Sequence, residues 1–243
     1  MKGVAIIGAG PAGLMAAEVL SAAGVQVDVY DAMPSAGRKF LLAGKGGLNL
    51  THSEPFDAFA SRYGARRPQV EPLLRQFDSQ ALRDWAQGLG VETFVGTSGR
   101  VFPAEMKAAP LLRAWLHRLR AAGVRFHMRH RFVGWSADGE LRFEAPGGEH
   151  NVRAEAVVLA LGGASWPRLG SDGAWVPLLE ARGVEVAALA PANCGFDVRN
   201  GWSAYFSQRF AGQPFKSVAI RFGAFHRQGE FVATATGVEG SLI

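Results

Sequence analysis

Apolar and polar positions at the start of the chain predict a strand, a turn, a helix and a second strand. Residues 4–7 are all apolar, and residues 14–23 carry apolar side chains at helical spacing without a helix breaker. Gly24 ends the helical pattern, and residues 25–29 alternate between valine and other side chains as in a strand. Two strands joined through a helix form a parallel pair, so the pattern predicts an α/β protein that begins with a Rossmann-type β–α–β unit.

The turn between this first strand and helix has the spacing of a dinucleotide-binding loop. Gly8 would permit the tight turn, Gly10 the approach of phosphates to the backbone, and Gly13 the close packing of helix against strand. The helix N-terminus offers unpaired N–H groups and the positive end of its dipole to a pyrophosphate. Asp31, at the end of the second strand, is placed to accept ribose hydroxyls. A glycine-rich turn in another kind of α/β sheet is the alternative.

A glycine-rich basic segment, residues 37–52, follows the second strand and bears on which dinucleotide is bound. It contains an arginine and two lysines among its glycines, and this composition suits a backbone that lies against an anionic ligand. A domain that binds only NAD would instead form a helix here and return to the sheet. The segment therefore favours a flavin over a nicotinamide, with a flexible basic surface loop as the alternative.

The rest of the first domain alternates between helical and strand-like patterns. Apolar positions at helical intervals predict one or two amphipathic helices within residues 66–89 and another over residues 107–122. Short strand-like runs follow at 124–126, 131–135 and 141–145. They predict an inserted β-meander. The wholly apolar run 156–161 suits a strand in the middle of a parallel sheet.

Six segments, in this order along the chain, resemble the bacterial flavoproteins called NAD(P)/FAD-dependent oxidoreductases, of the aminoacetone-oxidase-like and bile-acid enone reductase-like group. The segments are 8–13, 37–39, 49–51, 99–103 with Lys107, 159–163 and 236–240. Together they cover essentially the whole chain, and the combination is more specific than any one motif. Gly47 and Leu48 stand where much of the family has an Arg-Cys pair, and His52 replaces a common asparagine, which indicates a distinct subgroup.

The resemblance implies a fold class and a division into domains. The fold is a glutathione-reductase-like, Rossmann-type FAD-binding domain of the α/β class with an inserted β-meander, over residues 1–190. Residues 191–243 would begin a mostly β substrate domain. Relatives of this kind continue into the rest of that domain and then return to the first. We therefore expect a truncated product, a fragment or half of a split protein, with a natural minimal FAD-binding protein as the alternative.

FAD bound in an extended form is the cofactor that the resemblance implies. The glycine turn would face its pyrophosphate, the basic pair after Gly37 would lie along the phosphates, and residues 44–51 would run beside the ribityl chain. The backbone near Phe132 would meet the adenine. The full set of implied cofactor-binding residues is Gly8, Gly10, Pro11, Ala12, Gly13, Asp31, Arg38, Lys39, Gly44, Gly46, Gly47, Asn49, Thr51, Phe132, Gly162 and Gly163.

Three residues are candidates for catalysis. Lys45, from its place in the glycine loop, could stabilise a reduced anionic flavin. His52 and Arg100 are candidates for contact with the substrate. His52 could also exchange a proton with it, because histidine gains and loses a proton near neutral pH. A surface position that flanks a helix is the alternative for His52.

Composition and charge exclude several other classes. The formal net charge is +5, and basic residues concentrate at 125–131 without a nucleic-acid-binding motif, so we expect no nucleic-acid partner. A single cysteine, Cys194, excludes an internal disulfide and a redox dithiol. No spacing of His, Cys, Asp and Glu is typical of a metal site, and no segment predicts a leader or a membrane span. A cytoplasmic protein is expected.

The sequence thus predicts an FAD-dependent oxidoreductase acting on a small organic substrate, with NAD(P)H or oxygen as the possible second redox partner. An FAD-binding module without activity of its own is the alternative. An NAD-only Rossmann protein is disfavoured by the 44–49 loop and the predicted meander. The substrate is not predicted, because the second domain would supply most of its pocket.

Overall fold

The computed structural model describes residues 3–43, 47–191, 194–240 and 242–243. The chain forms two compact units, divided between Ala187 and Ala188. Among the described residues, three sheets belong to the first unit and one sheet to the second. No helix among the described residues is long and apolar enough to cross a lipid bilayer.

Fourteen strands are present among the described residues. They are β1 (Val4–Ile7), β2 (Val27–Asp31), β3 (Thr51–His52), β4 (Thr93–Val95), β5 (Arg100–Pro103), β6 (Arg125–Met128), β7 (Arg131–Trp135), β8 (Leu141–Ala145), β9 (Gly148–Val152), β10 (Ala156–Leu159), β11 (Phe196–Asp197), β12 (Pro214–Phe222), β13 (Phe225–Ala233) and β14 (Gly237–Glu239).

Eight α-helices accompany them in the same part of the chain. They are α1 (Pro11–Ala22), α2 (Arg38–Ala43), α3 (Phe56–Ser61), α4 (Arg67–Leu74), α5 (Ser79–Gly88), α6 (Ala108–Ala121), α7 (Val176–Glu180) and α8 (Ala204–Phe210). Short 3₁₀ turns lie at Gly64–Arg66 and Pro167–Leu169.

A four-stranded parallel sheet of order β10-β1-β2-β6 forms the centre of the first unit. Side chains of β1 alternate between its faces, so that Ile6 points to one side and Ile7 to the other. Ile6 is buried with Leu14 of α1 and with Trp115 and Leu119 of α6. Helices therefore cover this face, as the apolar stripes of residues 14–23 and 107–122 predict.

The opposite face of the sheet packs against an antiparallel meander of order β7-β8-β9. Ile7 and Tyr30 are buried there with Phe143 of β8 and Val152 of β9. The rings of Tyr30 and Phe143 stack with centroids 4.5 Å apart. The Rossmann-type fold class with a meander is confirmed, and both faces of the sheet around the carboxyl end of β1 are covered.

Three details differ from the sequence prediction. The first predicted strand of the meander, 124–126, belongs instead to β6 of the parallel sheet. The meander's third strand is Gly148–Val152, a segment in which the sequence analysis predicts no strand. The strand β10, expected in the middle of the sheet, lies at its edge in the described structure. Val157 and Leu159 are consequently each 39% exposed. Apolar composition alone does not fix a strand's position, because it depends on pairing partners distant in sequence.

The chain between β2 and β6 leaves the parallel sheet, as the basic segment predicted. The short helix α2 follows Gly37, and β3, β4 and β5 then form a separate antiparallel sheet of order β3-β5-β4. The helix itself is not predicted by the sequence, since only six residues after Gly37 form it.

The second unit is mainly β, as expected. Its four antiparallel strands have the order β11-β14-β13-β12, and α8 lies between β11 and β12 in sequence. Phe206 and Phe210 of α8 contact Phe215 of β12, whose ring stacks on Phe231 with centroids 5.1 Å apart. This aromatic cluster forms an apolar centre for the unit.

A buried carboxylate joins two strands of the parallel sheet. Asp28 of β2 is fully buried and accepts hydrogen bonds from Arg125 Nε at 2.8 Å, Arg125 Nη2 at 2.6 Å and His127 Nε2 at 2.8 Å. Burial raises the pKa of Asp28, but these hydrogen bonds and charges outweigh it, and the net pKa lies below its ordinary value. The ionised pair therefore stabilises the fold above the ordinary pKa of an aspartate.

Replacing this carboxylate tests its contribution. We expect Asp28→Asn to lower the free energy of unfolding at pH 7 by about 2 kcal/mol, less than for a fully buried pair, because Arg125 is partly exposed. The loss should shrink as the pH falls through the lowered pKa, where wild-type Asp28 is itself protonated. Denaturant unfolding of both proteins from pH 7 to pH 3 measures this. Glu149→Gln, in the exposed pair with Arg142, is the control, and an equal loss in both variants would contradict the account.

Candidate functional site

A cavity of about 400 Å³ opens beyond the carboxyl ends of β1, β2 and β10. In parallel α/β sheets this edge is where ligands bind. Backbone and side chains from four segments line the cavity. The lining residues are Gly8, Ala9, Gly10, Pro11, Asp31, Met33, Ser35, Gly37, Arg38, Lys39, Phe40, Ala43, Ala160, Leu161, Gly162, Leu169, Gly170 and Ser171.

The glycine turn after β1 forms one wall, and each glycine has a different steric environment. Gly8 has φ +111°, and a Cβ there would overlap the carbonyl oxygen of Ala160. A Cβ on Gly13 would overlap the carbonyl oxygen of Gly8. A Cβ on Gly10, in contrast, would meet no atom of the described residues within 4 Å. Gly8 and Gly13 are thus needed for packing, whereas Gly10 faces open space in the cavity.

The N-terminus of α1 is directed to the same wall. Gly10 is its N-cap, and Pro11 occupies the first turn. A glycine cap supplies no side chain to the unpaired N–H groups of the first turn, so these groups and the helix dipole are available to an anion.

Asp31 lines the cavity at the end of β2. Its Oδ2 accepts the N–H of Ala9 at 2.7 Å, and its Oδ1 accepts the N–H of Met33 at 2.7 Å. Burial raises the pKa of Asp31 above its ordinary value. These two hydrogen bonds and the charge of Arg38 lower the pKa, but burial has the larger effect. Each carboxylate oxygen keeps a free lone pair, so the group can accept further hydrogen bonds from a ligand.

Two basic residues at the start of α2 complete the polar lining. Arg38 Nη1 donates to Ser35 Oγ at 3.3 Å, but its buried Nε has no hydrogen-bond partner in the described structure. Lys39 Nζ donates to Ser165 Oγ, in the segment that follows β10. A buried, unpartnered guanidinium N–H beside a helix N-terminus is suited to bind an anionic oxygen.

A hairpin after β10 forms a wall that the sequence analysis only partly identified. Gly162 was predicted to lie near the cofactor, whereas Leu169, Gly170 and Ser171 were not. Within the hairpin, Trp166 and Ser171 pair through two backbone hydrogen bonds of 3.0 and 3.1 Å. Gly162, Gly163, Pro167 and Gly170 are turn-forming residues in the sequence of this segment, and Gly162 and Gly170 adopt positive φ in the structure.

A smaller cavity of about 80 Å³ adjoins the first and shares Gly8, Asp31 and Gly170 with it. Phe132 of β7 and Trp175 line it as well. The meander therefore reaches the cavity region at Phe132.

The structure brings some of the predicted cofactor residues together and leaves others apart. Those that line the main cavity are Gly8, Gly10, Pro11, Asp31, Arg38, Lys39 and Gly162. Ala12 and Gly13 lie behind the turn in α1. Those that do not line it are Gly47, Asn49, Thr51, Phe132 and Gly163. Gly44, Lys45 and Gly46 lie outside the described residues.

Two predicted catalytic residues, His52 and Arg100, lie opposite each other in the β3–β5 pair and do not line the main cavity. His52 borders a separate cavity of about 180 Å³. Its Nε2 contacts the carbonyl oxygen of Ser98 at 3.0 Å, and its Nδ1 accepts the N–H of Glu54 at 3.2 Å. Both ring nitrogens are therefore engaged with this local structure.

The parallel sheet, the glycine turn and the acid at the end of β2 define a Rossmann-type domain. The chain belongs to the family described as HI0933-like protein Rossmann domain, whose model matches residues 2–243. The resemblance inferred from the motifs is confirmed at the level of this family.

Two curated relatives match most of this chain. A 3-dehydro-bile acid delta(4,6)-reductase of Clostridium scindens is 30% identical over 197 residues, which are 79% of this chain and 46% of the relative. A ribosomal RNA dihydrouridine synthase of Escherichia coli is 27% identical over 184 residues, 74% of this chain and 44% of the relative. The chain thus spans about half the length of these relatives.

Solved structures share the fold at low sequence identity. A 3-ketosteroid-delta4-(5alpha)-dehydrogenase from Rhodococcus jostii has a TM-score of 0.54 at 18% identity, over 76% of this chain and 54% of that protein. A flavocytochrome c3 fumarate reductase has a TM-score of 0.50 at 20% identity, over 67% of this chain and 34% of that protein.

Proposed function

We propose that the chain is an FAD-binding flavoprotein oxidoreductase that acts on a small organic substrate. One observation carries the proposal. A single cavity at the carboxyl edge of the parallel sheet combines an uncapped helix N-terminus at Gly10, the carboxylate of Asp31 and the guanidinium of Arg38. An extended dinucleotide needs these three features, for its diphosphate, its ribose and its remaining negative charge.

The residues present fit FAD. Within the part of the chain that the structure describes, the space beside Gly10 is free of protein atoms, as the approach of a diphosphate to the backbone requires. Arg38 Nε is buried without a partner, and a phosphate oxygen would satisfy it. In this arrangement Gly10 and Arg38 hold the diphosphate and Asp31 the ribose, while Phe132 of the adjoining cavity would contact the adenine.

The relatives support the oxidoreductase class. One is named a reductase, and a structural neighbour is named a flavocytochrome. When bound, the flavin supplies the hydride or electron transfer, with NAD(P)H or oxygen proposed as its second partner. The chain itself binds and orients the cofactor. Lys45, His52 and Arg100 remain proposed catalytic residues.

A small organic substrate is proposed in preference to nucleic acid because the basic cluster at 125–131 is largely engaged within the fold. Arg125 and His127 bind Asp28, and Arg131 pairs with Asp172 at 3.1 Å. These side chains are consequently bound to carboxylates and not clustered on an open surface for phosphates.

A two-stage titration tests the function. The purified chain is first titrated with FAD, and binding is followed by flavin fluorescence. The bound flavin is then mixed anaerobically with NADH or NADPH and afterwards with oxygen. The proposal predicts saturable binding followed by reduction or reoxidation of the flavin. No binding would contradict it. Binding without any redox response would favour a cofactor-binding module without activity of its own.

Asp31→Asn tests the ribose contact. An amide offers one acceptor oxygen where the carboxylate binds two backbone N–H groups, so we expect the affinity for FAD to fall about 10-fold at pH 7. Burial raises the pKa of Asp31, so in the wild type the carboxylate takes up a proton as the pH falls through that raised pKa, and one of its two acceptor oxygens becomes a donor. FAD titrations across acid pH should show weakening only in the wild type. The same acid dependence in the variant would assign the effect to another group.

A further inference from the structure

We propose that Ser171 is a further cofactor-binding residue whose hydroxyl hydrogen-bonds an oxygen of the ribose–diphosphate backbone. The inference rests on the proposed FAD site and adds a contact that the glycine turn and Asp31 do not predict.

The side chain of Ser171 is buried without a partner. Only 6% of the residue is exposed, and its Oγ has no hydrogen bond to any of the described residues. The backbone is fully paired, since its N–H and its carbonyl both bond to Trp166. Buried hydroxyls in proteins nearly always have a partner, so this orphaned group indicates a ligand contact.

The position of Ser171 is fixed by the hairpin on which it lies. The Nε1 of Trp175 donates to the carbonyl oxygen of Gly162 at 3.1 Å, and Lys39 binds Ser165. Gly170 packs so closely on Met33 that a Cβ there would lie 2.9 Å from Met33 Cγ. The contacts of Trp175, Lys39 and Met33 thus fix the hairpin. Ser171 cannot rotate out of the cavity wall without breaking its backbone hydrogen bonds to Trp166.

The chemistry of the cavity identifies the ligand group. Arg38 Nε is the second buried, unpartnered polar atom on the same lining, and it can only donate a hydrogen bond. A serine hydroxyl can also donate. Two unsatisfied donors on one cavity indicate an acceptor-rich ligand, as the phosphate and ribose oxygens of the cofactor are.

The test compares Ser171→Ala with the wild type in two measurements. The first is the affinity for FAD and for ADP, a probe that carries the ribose–diphosphate portion without the flavin. The second is the melting temperature with and without each ligand. Ser61→Ala, at an exposed position on α3, is the matched control.

We expect Ser171→Ala to weaken both ligands about 10-fold, the effect of one hydrogen bond to a charged group. Its melting temperature without ligand should equal or exceed that of the wild type, because an unsatisfied buried hydroxyl is removed. A structural role for Ser171 predicts the opposite, a loss of stability without ligand.

Unchanged affinity for both ligands, with normal binding by the wild type, would overturn the role of Ser171 and leave the FAD proposal standing. Binding of ADP but not FAD by the wild type, with weaker ADP binding by the variant, would support Ser171 and overturn FAD as the cofactor. A wild-type chain that binds neither ligand would overturn both.

Discussion

Gly13→Ala is expected to unfold or strongly destabilise the first unit. Alanine favours a helix over glycine by about 1 kcal/mol, so helix propensity alone would make this a stabilising change within α1. The new Cβ, however, would overlap the carbonyl oxygen of Gly8, and neither backbone segment can move without separating α1 from β1. We expect a loss of about 3 kcal/mol or more of unfolding free energy, measured by denaturant titration.

Gly88→Ala is the matched control for this prediction. Gly88 also lies in a helix, α5, and a Cβ there would make an ordinary contact 3.6 Å from Arg118. It should leave stability unchanged or slightly raised. If Gly13→Ala also left the stability unchanged, the inference that α1 packs too closely on the glycine turn to admit a Cβ at residue 13 would be wrong.

Gly10→Ala, in contrast to Gly13→Ala, should lower the affinity for FAD and leave the stability of the fold unchanged. Its φ of −80° and ψ of 179° are accessible to alanine, and a Cβ would meet nothing within 4 Å among the residues that the structure describes. The methyl group would project into the space proposed for the diphosphate. We expect FAD affinity to fall about 100-fold, from an overlap that costs about 3 kcal/mol, with no change in the melting temperature of the ligand-free chain.

Isothermal titration or flavin fluorescence measures that affinity, again with Gly88→Ala as control. Wild-type affinity in Gly10→Ala would show that the cofactor does not approach the backbone at this turn. A lower melting temperature without ligand would show instead that the space beside Gly10 is occupied by protein.

The first strand, helix and acid could be predicted from the sequence because each depends on local patterns. The spacing of Gly8, Gly10 and Gly13 fixes a turn that few other residues can form, and Asp31 follows from the length of one β–α–β unit. Helical stripes such as that of α6 are equally local. The structure places all of these close to their predicted positions.

The remaining wall of the cavity could not be predicted in this way. Ser171 lies on a hairpin whose Gly170 packs against Met33, about 140 residues earlier in sequence. The edge position of β10 likewise depends on which strands pair with it. Neither contact leaves a periodic pattern in its own segment.

The surroundings of His52 could not be predicted from its position in a motif. Its Nε2 contacts the carbonyl oxygen of Ser98, and its Nδ1 accepts the N–H of Glu54. Ser98 lies 46 residues further along the chain, and the contact depends on the pairing of β3 with β5, which leaves no periodic pattern in either segment. The catalytic role of His52 stays a prediction.

The central claim, FAD binding at this cavity, is tested most directly by an absorbance spectrum of the purified chain with mass analysis of any released cofactor. The account predicts an oxidised flavin spectrum and the mass of FAD, as purified or after incubation with FAD and removal of the excess. Gly10→Ala, treated identically, should lose the flavin. A colourless wild-type chain that takes up no added FAD would contradict the account.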